Sequence, residues 1–177
     1  MLNPYQSVFK RYKRQLNTMT FCHNQALFKM NTAAISLQPL VSDRADAFPV
    51  AEIWLAGATT AKLIGGAVLE AAFHCEHGYL LFVTDDIPFE DTLSIYLMNQ
   101  DFQVLDSVNI GVAYSTGNFH LLREPSAREV QFSFLGGCNW RLTLLATPEF
   151  CLPLFNEPAG VRRKPSFKRW FKLSYSR

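Results

Sequence analysis

The clearest pattern in the chain lies between residues 129 and 146, where apolar and polar positions alternate on both sides of Gly136-Gly137. Alternation with a period of two is typical of a strand with one buried face, and the glycine pair favours a tight turn. The pattern predicts an antiparallel hairpin with a buried apolar face. The residues of that face are Val130, Phe132, Phe134, Trp140, Leu142 and Leu144.

Shorter apolar segments upstream extend this interpretation. Val50–Leu55 predicts the first strand, and the Gly/Thr-rich stretch 57–66 predicts a loop. Residues 67–75 fit either a helix or a strand, but the turn at 76–78 and the apolar run after it favour a hairpin over 67–84. Further strands are predicted at 93–98, 102–110 and 119–123. The expected fold is mainly β, an antiparallel β-sandwich or a partly open barrel.

Charge divides the chain into three parts. Residues 1–42 contain five basic side chains and residues 158–177 contain seven, and neither segment contains an acid. All fifteen acids therefore lie in residues 43–157. We expect a basic N-terminal arm (1–42), an acidic β-rich domain (43–157) and a basic aromatic C-terminal tail (158–177). Such asymmetry bears on partners and association rates rather than on fold.

Both basic ends also carry apolar residues at helical spacing. The arm contains a basic segment, residues 5–16, that predicts a short amphipathic helix. Its apolar residues are Tyr5, Val8, Phe9, Tyr12 and Leu16, and its bases are Lys10, Arg11, Lys13 and Arg14. Met19 and Met30 offer alternative start sites, so that part of the arm could be a non-native start. The aromatic spacing at 167–171, after Ser166 as a cap, predicts an irregular or short-helical tail.

The acidic segment 85–91 is the main candidate site. Its four carboxylates are Asp85, Asp86, Glu90 and Asp91. They suit a basic protein partner, whose attraction would raise the association rate, or a hard cation, or simply a solvated loop. The spacing does not match an EF-hand. We predict a small protein-binding module that captures a basic protein, for example a toxin. Immunity proteins against nuclease toxins use the same chemistry, which is an analogy only.

The C-terminal tail supports an alternative function. Its cations could neutralise phosphates and its aromatic rings could stack on bases, as expected of a nucleic-acid-associated subunit of a larger assembly. The acidic middle would repel the same polyanion, and a tail folded back on the domain explains both features. The residues concerned are Arg162, Arg163, Lys164, Phe167, Lys168, Arg169, Trp170 and Phe171.

An enzyme of unknown class ranks third. Neither Gly-x-Ser-x-Gly nor His-Glu-x-x-His occurs in the chain. Cys138 could act as a nucleophile with His77 or His120 as its base, but no sequence motif places the cysteine beside either histidine. His74-Cys75-Glu76-His77 lacks zinc-finger spacing, so we expect no metal or cofactor. The four unpaired cysteines and the lack of a signal peptide favour a cytoplasmic location. The most apolar stretch, 53–73, is interrupted by charges, so no transmembrane segment is expected.

Overall fold

The computed structural model describes residues 31–41, 48–87, 90–152 and 157–176. Within these ranges the chain forms thirteen strands and no helix, arranged in three antiparallel sheets. The predicted mainly β class is confirmed, and the sheets do not close into a barrel. The N-terminal helix predicted at 5–16 lies outside the described residues.

A six-stranded sheet forms the middle of the molecule and separates two hydrophobic clusters. From edge to edge it contains β1 (Asn31–Thr32), β5 (Val68–Cys75), β6 (Gly78–Thr84), β7 (Leu93–Met98), β8 (Val104–Ile110) and β12 (Val161–Arg163). The hairpin predicted over 67–84 is thus confirmed as β5 and β6. Every residue of β6 is buried, because Leu80 and Phe82 face one cluster while Leu81 and Val83 face the other.

A four-stranded sheet packs against one face of the middle sheet. It contains β13 (Lys168–Ser176), β11 (Asn139–Phe150), β10 (Glu129–Ser133) and β9 (His120–Leu121). The predicted hairpin is confirmed as β10 and β11, and all six of its alternating apolar side chains are buried. Phe132 lies edge-on to Phe82 of β6, with their ring centroids 5.2 Å apart. The main core therefore lies between these two sheets.

A three-stranded sheet covers the opposite face of the middle sheet. It contains β2 (Ile35–Pro39), β3 (Val50–Leu55) and β4 (Ala58–Gly65). The predicted loop over 57–66 is wrong, since a turn at Ala56-Gly57 leads directly into β4. Ile64 is buried and the Thr60 hydroxyl donates to the Ile53 carbonyl at 2.7 Å, so packing and hydrogen bonds outweigh loop-like composition. The sequence pattern also missed the first two strands.

The C-terminal tail belongs to the two larger sheets through β12 and β13. The prediction of an irregular or short-helical tail is therefore wrong. Phe171 and Leu173 lie at alternate positions of β13 and are both buried in the main core. The tail forms a strand because Phe171 and Leu173, two residues apart, are both buried, and this burial outweighs the helical spacing of its aromatic residues.

Candidate functional site

The acidic loop joins β6 to β7 and is closed at its base by one of its own carboxylates. The Asp85 backbone N–H donates to Asp91 Oδ1 at 3.2 Å, so the structure brings these two acids together. Both are half-buried, whereas Asp86 and Glu90 are exposed. The loop therefore presents two carboxylates to solvent and holds two at its base.

The two acids at the base are poorly solvated. Burial raises the pKa of Asp85 to about 6, the Asp91 charge adds to the shift, and a Thr92 hydrogen bond opposes it. Burial also raises the pKa of Asp91, although backbone hydrogen bonds from Asp85, Asp86 and Thr92 work against the shift. No Lys or Arg within the described ranges forms an ion pair with any of the four loop acids.

Neighbouring polar groups fix the base of this loop. The Tyr96 hydroxyl donates to the Gly65 carbonyl at 3.0 Å, and burial raises the pKa of this phenol, with a smaller contribution from the Asp85 charge. Thr84 Oγ1 donates to Glu70 Oε1 at 2.8 Å. Gly66 has φ +110°, and a Cβ there would lie 2.4 Å from Val83 Cγ1, so only glycine allows this close approach.

The two half-buried arginines of the tail, Arg163 and Arg169, pair with acids outside the loop. Arg163 bonds Asp106 through Nη1 and Glu157 through Nε, the latter at 2.8 Å. Glu157 also accepts from Arg169 Nη2 at 2.6 Å. We call these four residues the ionic cluster. The Trp170 backbone N–H donates to Asp106 Oδ2 at 2.8 Å, so the cluster joins β8 and β12 of one sheet to β13 of another.

The rest of the candidate nucleic-acid set is divided between core and surface. Phe171 is fully buried, and the Trp170 ring lies edge-on to His77 at 5.1 Å. Phe167 is exposed and stacks on Phe150, with ring centroids 5.9 Å apart. The exposed cations of the set are Arg162, Lys164 and Lys168. The structure thus brings only part of this set to the surface.

The side chains of the His-Cys motif at 74–77 lie in different surroundings, because the turn between β5 and β6 falls within the motif. Cys75 is buried in the main core, whereas His77 Nε2 lies 2.6 Å from the Leu145 carbonyl oxygen. Burial lowers the pKa of His74 and raises that of the Cys75 thiol. Cys138 packs half-buried against the main core. Among the described residues, no group of three or more His, Cys, Asp or Glu side chains could hold a metal ion.

Sequence reasoning missed the acids of the ionic cluster. Asp106 occupies a core-facing position of β8, in phase with Val108 and Ile110. An acid at a position that alternates with buried apolar residues could have been recognised from the sequence as half of an ion pair, because a buried carboxylate requires a partner. Glu157 carried no comparable signal, since it lies outside any strand.

No family model, curated protein or solved structure matches the chain. In the part of the chain that the structure describes, there is no helix of the length and apolarity needed to cross a membrane. The acidic loop is the strongest candidate site on geometric and electrostatic grounds.

Proposed function

We propose that the protein is a small binding module that captures a basic protein partner through Asp85, Asp86, Glu90 and Asp91. One observation carries the proposal: within the described residues these acids lack a basic partner, while Arg163 and Arg169 are engaged elsewhere. A partner's cations would supply the missing compensation and raise the association rate. Capture of a partner needs no catalytic group. The free thiols of Cys75, Cys138 and Cys151 favour a reducing, cytoplasmic setting.

Association kinetics test this proposal. Partners recovered with the native chain are bound to wild type and to a variant with all four loop acids changed to Asn or Gln, at low and high salt. We expect the variant to associate more slowly and with a weaker salt dependence, since the steering charges are gone. Unchanged kinetics at both salt concentrations would exclude the loop.

A matched control separates the loop from net charge. A second variant neutralises four acids outside the loop and changes the net charge by the same amount. It should retain most of the wild-type association rate, because those carboxylates do not border the proposed site. The residues changed in this control are Glu76, Asp101, Glu129 and Glu149.

Nucleic-acid binding is the second candidate, favoured by the exposed stack of Phe150 on Phe167 beside Lys168. Exposed rings flanked by cations are used by proteins that bind single strands. A Phe150→Ala, Phe167→Ala variant should lose affinity for a single-stranded oligonucleotide if this candidate is correct. If wild type and this variant bind the oligonucleotide equally weakly, and salt does not change that binding, nucleic-acid binding is rejected as the function.

A further inference from the structure

An exposed apolar area lies at the end of the molecule that carries the acidic loop. Phe48 is 81% exposed, and Val50, Val68 and Ile87 also present surface to solvent. Together with the four loop acids, we call these four residues the loop-end surface. Single exposed apolar residues are ordinary, but several beside a charged loop indicate an interaction site.

Backbone hydrogen bonds bring the parts of this surface together. The Gly66 N–H donates to the Pro49 carbonyl at 2.8 Å, which joins the start of β3 to the β4–β5 connection. The next residue, Ala67, donates its N–H to the Thr84 carbonyl at 2.8 Å. Thr84 immediately precedes Asp85, so the apolar residues of β3 and β5 lie at the base of the loop.

A surface with this composition suits an amphipathic basic segment. Apolar side chains would cover the apolar area while cations meet the carboxylates at its border. The N-terminal arm contains such a segment, residues 5–16, which has four bases, no acid and five apolar residues at helical spacing, whereas the basic and aromatic residues 168–172 of the tail are already part of β13. We infer that the loop-end surface is the docking site of this chain's own basic segment.

The connection is long enough for docking within one chain. Asn31 of β1 pairs with His74, and Val68 pairs with Thr84 at the other end of β5. Six residues of strand separate these points by about 20 Å. Residues 17–30 connect the basic segment to Asn31, and 14 residues reach about 46 Å when extended and about 21 Å as a helix. Either conformation spans the distance.

Docking in the same chain makes the basic segment a competitor for the loop. Tethering turns the contact into an intramolecular one with a high effective concentration. An incoming basic protein must then displace the segment, and this consequence rests on the proposed function. The docking itself does not, because it depends only on the chain's own residues.

Zero-length carbodiimide cross-linking of the full chain tests the docking. We expect amide links from Lys10 or Lys13 to Asp86 or Glu90, identified by mass spectrometry. Equal amounts of ¹⁵N-labelled and unlabelled protein are mixed first, and the links should form within chains of one isotope. High salt should reduce their yield.

Substitutions that leave both reactive groups in place provide the controls. Phe48→Ser should weaken docking by roughly tenfold, the loss expected for one buried aromatic contact. Tyr114→Ser is its matched control, since Tyr114 is 92% exposed on another connection. Phe9→Ser with Tyr12→Ser should reduce the links as well, whereas Asn3→Ser with Asn17→Ser, at polar positions outside the apolar face of the predicted helix, should not.

Three results would overturn the inference: links mainly between chains, links mainly to Glu129 or Glu149, or yields unaffected by Phe48→Ser. The association experiment with a captured partner tests the proposed function independently of this cross-linking test. Loop-dependent capture without these links leaves the proposed function intact, and links without any captured partner leave the docking intact.

Discussion

Arg163→Met should destabilise the protein far more than Arg162→Met, although the two residues are neighbours on β12. The Asp106 side chain is 3% exposed and that of Arg163 is 8% exposed, so removing the guanidinium leaves a buried carboxylate uncompensated. Breaking such a pair costs about 3–5 kcal/mol of unfolding free energy. Loss of the cation–π contact between Arg163 and Phe171, at 4.5 Å, adds to this cost.

Urea unfolding followed by tryptophan fluorescence measures the difference in unfolding free energy, and thermal unfolding measures the difference in melting temperature. At about 2–4 °C per kcal/mol for a chain of this size, the melting temperature should fall by roughly 6–20 °C. Arg162 is exposed, so Arg162→Met should change stability by less than about 0.5 kcal/mol. Equal effects of the two substitutions would refute the reasoning.

The double variant Asp106→Leu, Arg163→Met isolates the role of charge. Removing both charges should restore much of the stability, since an apolar pair can replace a buried ion pair at little cost. Recovery should stay incomplete by about 1–3 kcal/mol, because the Trp170 N–H loses its acceptor. A double variant less stable than Arg163→Met alone would show that packing, and not charge compensation, dominates at this site.

Two further predictions concern the core and the loop. Phe132→Ala should cost about 3–5 kcal/mol in urea unfolding because the ring is fully buried, whereas Phe150→Ala, at a 76% exposed ring, should cost little. The raised pKa of Asp85, about 6 against 3.8, contributes stability that is present below pH 4 and lost as pH rises through 6. After allowance for solvent screening, Asp85→Asn should stabilise the protein at pH 7 by about 1 kcal/mol and not at pH 4, with Asp86→Asn as the exposed comparison. An equal effect at both pH values would contradict this assignment.

Local patterns predicted the hairpins, and long-range packing decided the rest. The β10–β11 alternation specified its partner strand and its buried face, because a hairpin needs only neighbouring residues. Helical spacing at Phe167, Trp170 and Phe171 misled the prediction, since Phe171 and Leu173 pair with β11 in the four-stranded sheet and bury their side chains in the main core. The glycines and threonines of residues 57–66 resemble a loop, but Ile64 of β4 is buried against the middle sheet.

The acidic loop could be located from sequence, but its environment could not. Four acids in seven residues mark an acidic segment at once. The half-buried state of Asp85 depends on how β6, β7 and the β4–β5 connection meet, which no local pattern encodes. The ionic cluster was equally hidden, because Arg163 and Asp106 are separated by 57 residues. Ion-pair partners at that separation are chosen by sheet topology.

The burial of β6 on both faces has a consequence for aggregation. This strand, Gly78–Thr84, has seven residues, no charge and no proline, a composition that favours intermolecular β-stacking when exposed. The three-stranded sheet shields one of its faces. Transient opening of that outer layer would present Leu81 and Val83 to other chains. Substitutions that loosen β3 or β4 should therefore reduce soluble yield more than their effect on unfolding free energy implies.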